Sequence, residues 1–182
     1  MNKKVFILNG VANAGKDTFV NYINSLGISA VHYSYVDFTK NVLKDIGFDT
    51  DTKTDSMRKL LCDVNCALKN YADIPFKDCC SVVDDFKKDY LNGDWLFIDC
   101  REPSEIRRMT KLFNAKAVFI DRGKVTVPIN SADLAATNST NYCKYDYIIE
   151  NKGNLTEFET NIRHFVADAF LGNITNDMKG NI

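Results

Sequence analysis

Hydrophobic positions along this chain alternate between two patterns. Short apolar runs at Val5–Leu8, Trp95–Ile98 and Ala117–Ile120 read as strands covered on both faces. With residues 29–34 and 145–150 they predict five strands, the third over 95–100 and the fourth over 115–121. Between them apolar residues recur at helical spacing. A first helix is expected from Lys16 to Leu26, with Phe19, Val20, Ile23 and Leu26 inward and Gly27 as its stop. A second, Val36 to Ile46, turns Phe38, Val42, Leu43 and Ile46 inward and ends at Gly47.

Residues 49–55 read as an exposed loop, followed by helices over 56–72 and 77–92 with an interruption near Pro75. Pro103 suits the first turn of a helix to Phe113, with Ile106, Met109, Leu112 and Phe113 inward. Asn154 and Glu157 form a capping pair for a last helix, whose inner face is Phe158, Ile162, Phe165, Val166, Ala169 and Phe170. Residues 122–143 carry no periodicity and are rich in Asn, Ser and Thr. The expectation is one α/β domain over residues 1–172, a five-stranded parallel sheet between helices in three layers, with 173–182 as a flexible tail.

Composition narrows the partners. In 182 residues, 45% hydrophobic and 26% charged with a net charge of −1, nothing calls for duplex nucleic acid. No stretch has the length of a membrane span. A strand beginning almost at once leaves no room for a signal peptide, so a cytoplasmic location is expected. The 6 cysteines then read as reduced, mostly buried thiols, since neither Cys62/Cys66 nor Cys79/Cys80 has zinc-knuckle spacing. Oligomeric state, a homodimer included, is left open.

Ligands of parallel sheets bind beyond the carboxyl ends of the strands. Here those ends carry Gly10–Thr18, Tyr35–Asp37, Asp99–Arg101, Asp121–Arg122 and Asn151–Gly153. Gly10 to Lys16 is G-x-x-x-x-G-K between a strand and a helix, the loop whose amides and lysine cradle phosphates. Gly10, Asn13, Ala14, Gly15, Lys16, Asp17 and Thr18 are thus expected to bind ATP, with Lys16 on its outer phosphates. Asp17 stands where many such loops carry a Ser or Thr magnesium ligand, and Thr18 follows it. Mg²⁺ is therefore expected near Asp99, Asp17 and Thr18. Arg101 reaches the same crevice, and Arg122 opens the polar segment 122–143, read as a lid. Lys16, Asp99, Arg101 and Arg122 form the candidate catalytic set. Arg107, Arg108, Asp84-Asp85 and Lys87-Lys88 read as solvated charges. Tyr33 and Tyr35 suit either base stacking or the core.

Asn9 to Thr18 resembles the G-x-x-x-x-G-K-D-T loop of phage-type deoxynucleoside monophosphate kinases and relatives similar to phosphomevalonate kinase. Ser34 to Lys40 is similar to that family's stretch after the second strand, and Arg58 resembles its acceptor-contacting arginine. Asp99 to Glu105 looks like its D-x-R-x-x-x-E segment, and Tyr145 to Gly153 like its closing strand and N-x-G turn. The resemblance implies a P-loop kinase fold and γ-phosphoryl transfer from ATP, with Mg²⁺, to a (deoxy)nucleoside monophosphate. It implies acceptor binding by Asp37, Lys40, Arg58 and Arg101 on helices about 36–92, and donor-base contacts by Asn151 and Gly153. A different phosphorylated metabolite or a nucleoside as acceptor, a nucleotide-dependent switch, and a non-catalytic nucleotide-binding module are the alternatives.

Overall fold

The computed structural model describes residues 3–52, 54–123 and 144–177. Five parallel strands form one sheet: β1 Lys4–Asn9, β2 Ala30–Ser34, β3 Trp95–Asp99, β4 Lys116–Asp121 and β5 Tyr147–Glu150. Their order is β2-β3-β1-β4-β5, so β1 lies at the centre and opposes Ile98 of β3 with Ile7 and Val118 of β4 with Leu8. The described helices are α1 Lys16–Ser25, α2 Asp37–Asp45, α3 Asp55–Ala72, α4 Ile74–Lys87, α5 Pro103–Phe113 and α6 Leu155–Asp177.

Successive strand side chains point to opposite faces, and the core divides accordingly. Phe6, Leu8, Trp95, Phe97 and Val118 pack on one side against Phe19 and Ile23 of α1 and Phe158, Ile162 and Phe165 of α6. Ile7, Leu96, Ile98 and Ala117 pack on the other against Phe76, Val83 and Phe86 of α4 and Ile106, Met109 and Phe113 of α5. Three layers result. Phe165 is the hub of the first cluster, with ring contacts to Phe6, Phe19, Trp95, Phe97 and Tyr147.

Several local expectations need correction. Pro75 does not interrupt a helix. It lies in the first turn of α4, where its missing N–H costs nothing, and α4 spans Ile74–Lys87 rather than 77–92. The break falls at Asp73, in left-handed conformation with φ 55°. Leu26, Ile46 and Leu112 are 38%, 67% and 59% exposed rather than inward. Leu26 and Ile46 fall just past the ends of α1 and α2, and Leu112, adjacent to Phe113, cannot share its face. Helix α6 continues through Gly172 to Asp177, beyond the expected start of a tail. The capping pair holds: Asn154 Oδ1 accepts the Glu157 N–H at 3.0 Å, and Asn154 Nδ2 donates to Glu157 Oε1 at 3.2 Å. Residues 124–143, most of the expected lid, and 178–182 of the tail lie outside the described residues.

Helix α3 differs from the others: none of its 18 residues is buried. Thr54 caps it by accepting the Met57 N–H at 3.2 Å. It stands beside α2 and α4 at the carboxyl ends of the strands, where it forms one wall of a crevice.

Candidate active site

The loop after β1 is held by its own backbone and by two buried asparagines. Asn9 Oδ1 accepts the Gly10 N–H at 2.7 Å, while Asn9 Nδ2 donates to the Tyr145 hydroxyl at 2.7 Å. A Cβ at Gly10 would lie 3.0 Å from the Ile120 carbonyl oxygen, so β4 passes too close for a side chain. Gly15 has φ +100°, a conformation glycine adopts without strain, and a Cβ there would meet Asn151 Nδ2 at 2.6 Å. Asn151, 8% exposed, donates from that nitrogen to the Ala14 carbonyl at 2.8 Å. The end of β5 thereby latches the loop. Lys16 is 8% exposed and donates to the carbonyls of Gly10 at 3.1 Å and Val11 at 3.3 Å. Its Nζ is 3.8 Å from Asp99 Oδ2.

These groups open onto a cavity of about 910 Å³. Of the residues singled out in the sequence, Asn13, Ala14, Gly15, Lys16, Asp17, Thr18, Asp37, Lys40, Arg58, Asp99, Arg101 and Arg122 all border it. Gly10, Asn151 and Gly153 do not: the first two build the loop from behind, and a Cβ on Gly153 would collide with Glu157. Asp37 is tied down. Its Oδ2 accepts the Ser34 N–H at 2.7 Å and its Oδ1 holds Lys40 Nζ at 2.7 Å, so the pair ties Lys40 of α2 to the end of β2. Arg58 Nη1 lies 3.8 Å from Asp55, which borders the same turn of α3.

Asp99 Oδ1 is buried without a hydrogen-bond partner. Such an oxygen next to an ammonium group and a phosphate loop suits a cation or its water. Asp17 and Thr18 are exposed on the same rim, and Asp17 Oδ1 is 3.4 Å from His32 Nδ1. No cluster of three or more His, Cys, Asp or Glu side chains able to enclose a metal occurs among the described residues. The donor set therefore fits Mg²⁺, which needs few protein ligands beside phosphate oxygens and water, and does not fit zinc.

Sequence reasoning passed over several residues here. Glu105, 4% exposed, receives Lys69 Nζ at 2.7 Å and has Arg108 Nη1 at 3.7 Å. Burial lowers the affinity of Lys69 for its proton, but the Glu105 carboxylate outweighs it and raises the pKa. Arg108, read as a solvated charge, also pairs with Asp73 at 2.6 Å and stacks on Phe76 at 3.3 Å. Tyr35 is 4% exposed, and burial and then Glu105 push its phenol pKa up. It belongs to the core, as does Tyr33, whose hydroxyl donates to Asp78. Cys79 and Cys100 are buried as expected; Cys62 and Cys66 instead border the cavity, and burial, then Cys66, raises the Cys62 pKa. The signal available for Lys69 and Asn65 was their spacing from Arg58 along one helix face.

No protein-family model matches the sequence, and no curated protein is significantly similar to it. Solved structures do match. Dephospho-CoA kinase from Campylobacter jejuni aligns at TM-score 0.56 and 14% identity, over 94% of this chain and 99% of that one. Shikimate kinase from Aquifex aeolicus aligns at TM-score 0.50 and 16% identity, over 92% of this chain and 99% of that one. The chain has the P-loop kinase fold. At such identities the likeness speaks for the fold, and the chemistry has to come from the crevice itself. Among the described residues no helix is long and apolar enough to cross a membrane.

Proposed function

We propose that this protein transfers the γ-phosphoryl group of ATP to a small phosphorylated acceptor, a (deoxy)nucleoside monophosphate. The observation that carries the reading is a single cavity bordered both by the latched loop, Lys16 and Asp99 and by Lys40, Arg58 and Lys69. Arg101 and Arg122 border it as well. A phosphate loop alone suits any nucleotide-binding protein; a cationic second arm continuous with it suits transfer between two phosphates.

The loop amides and Lys16 bind the donor tail, and Gly15, with no side chain, lets Asn151 pack against the loop from behind. Magnesium, held by Asp99 with Asp17 and Thr18 on the same rim, would neutralise phosphate charge. Arg101, two residues beyond Asp99, forks onto phosphoryl oxygens and spreads the charge that builds up during transfer. Arg122 does the same from the end of β4. Lys40, oriented by Asp37, and Arg58 hold the acceptor phosphate. That phosphate is already a nucleophilic oxyanion, so positioning and electrostatics suffice without a general base.

The two similar structures are, by name, kinases of unrelated acceptors, so the fold leaves the acceptor open. The resemblance of Asp99 to Glu105 and of Arg58 to a nucleotide-kinase pattern is what favours a nucleoside monophosphate. The test is ADP release from ATP with each common ribo- and deoxyribonucleoside monophosphate, alongside unrelated phosphorylated metabolites. Turnover with one or more monophosphates supports the reading. ATP binding with no turnover on any acceptor would reduce the protein to a nucleotide-binding module, and turnover only on another metabolite would move the acceptor class.

A further inference from the structure

The acceptor arm of the cavity has a polar group whose orientation is already set. Arg58 and Asn65 are seven residues apart on α3, two helical turns, so they share one face at about 10 Å along the axis. Between them lie Leu61 and Cys62, which line the same arm. A phosphate gripped at Arg58 therefore places the rest of an acceptor against Cys62 and toward Asn65.

Asn65 does not meet that acceptor as a freely rotating amide. Thr39 of α2, wholly buried, donates its Oγ1–H to Asn65 Oδ1 at 2.9 Å. The accepting side of the amide is used inside the protein, while its Nδ2, with two N–H groups, donates to no described residue and borders the cavity. Thr50, only 6% exposed, lines the same arm, and its Oγ1 is buried with no hydrogen-bond partner. Buried hydroxyls in folded proteins are paired; one left open beside a cavity is completed by what binds there. The carboxylates of the arm are already engaged: Asp37 is paired with Lys40 at 2.7 Å. Asp51 is held by Lys44 at 2.9 Å, and Glu102 lies in the field of Lys69.

We propose that Asn65 selects the acceptor by donating from Nδ2 to a carbonyl oxygen on its base, with Thr39 as the positioning residue that fixes the amide. The inference rests on the nucleoside monophosphate reading above. A base with an oxygen at that position (thymine, uracil or guanine) completes the hydrogen bond. One with an amino group there (adenine or cytosine) sets N–H against N–H and leaves both unpaired, a mismatch worth about 10- to 100-fold in selectivity. Thr50 supplies a hydroxyl as a second polar contact to the same acceptor.

The experiment is steady-state kcat/KM for thymidine, deoxyguanosine, deoxycytidine and deoxyadenosine monophosphates with wild type, Asn65→Asp, Thr39→Val and Thr39→Ser. Wild type should favour the oxygen-bearing bases. Asn65→Asp replaces donors by acceptors and should move the ratio toward the amino-bearing bases. Thr39→Val frees the amide to rotate and should collapse the ratio, and Thr39→Ser should restore it. The ratio between acceptors does not move with the amount of folded enzyme, so a merely structural role for Thr39 leaves it unchanged. Turnover with no preference, a preference for amino-bearing bases, or a ratio indifferent to both Asn65→Asp and Thr39→Val overturns this inference and leaves the proposed function standing. Absence of turnover on every monophosphate removes the proposed function first, and this inference with it.

Discussion

Replacing Gly15 by alanine tests whether the loop is held as described. Gly15 has φ +100°, and an alanine there incurs the left-handed penalty of roughly 1–2 kcal/mol. Its Cβ would also sit 2.6 Å from Asn151 Nδ2 and 3.3 Å from Phe158. Phe158 is wedged in the core, so Asn151 has to move and its bond to the Ala14 carbonyl is lost. Leaving that buried carbonyl unpaired costs about 1–3 kcal/mol, so Gly15→Ala should destabilise by about 2–5 kcal/mol. Gly27 provides the control. It has φ +83° and open space around its Cβ position, so Gly27→Ala should cost only the conformational part, about 1–2 kcal/mol.

A double-mutant cycle sharpens the test. Asn151→Ala by itself strands the same Ala14 carbonyl, again about 1–3 kcal/mol. Both single variants lose one and the same hydrogen bond, and the double variant loses it only once. Gly15→Ala/Asn151→Ala should therefore cost less than the sum of the singles by about the value of that bond, ~1–3 kcal/mol. Urea midpoints with a common m-value measure all four proteins, and calorimetry with Mg–ATP should find affinity lowered in both variants that move Asn151. Gly15→Ala as mild as Gly27→Ala, or strict additivity, would refute the latch.

The remaining predictions follow from the site and the core. Lys16→Ala and Arg101→Ala should each slow phosphoryl transfer by ~10²–10⁵ in a coupled ADP assay, by analogy with removal of oxyanion donors and arginine fingers; near-wild-type turnover would remove them from the chemistry. Phe165→Ala empties the aromatic hub of the first core cluster and should cost about 3–5 kcal/mol in urea unfolding. Burial works against ionisation of Asp121, but Lys152 at 2.6 Å and the Gly123 N–H at 2.9 Å outweigh it and hold the pKa below the ordinary 3.8. A depressed carboxylate stabilises the fold above its unfolded pKa, and the contribution fades as pH falls through the folded one. Lys152→Met should thus be less stable than wild type near neutrality, with the gap closing below about pH 4 in urea midpoints; a gap that widens in acid would contradict the assignment.

What the sequence made legible was whatever lies close along the chain. The loop from Gly10 to Thr18, its strand and its helix are contiguous, and short apolar runs and helical spacing place the five strands and the helices that cover them. Strand ends in a parallel sheet converge, and Asp99, Arg101 and Arg122 accordingly border one cavity. The side-chain tie of Asn151 to Ala14 spans 137 residues, and no local pattern encodes it. Thr39–Asn65 and Lys69–Glu105 join separate helices in the same way. Exposure of Ile46 and Leu112 shows the other limit, since periodicity marks a stripe but not where the helix stops or how wide the neighbouring surface is.

The division of labour between the helices follows from their burial. α1, α4, α5 and α6 anchor the sheet with fully buried aromatic and aliphatic side chains, whereas α3 buries none and borders the cavity. Segments with little buried apolar surface open at low free energy. Under the proposed function, the wall assigned to the donor is then the rigid one, and the wall assigned to the acceptor is the one able to adjust. Two side-chain ties govern that adjustment, Asn65 to Thr39 and Lys69 to Glu105. Glu105 sits on α5 one turn beyond Arg101, so the second tie fastens the acceptor helix to the segment that carries Asp99 and Arg101. Lys69 of α3 is thereby joined, through a buried carboxylate, to the helix that begins two residues after Arg101.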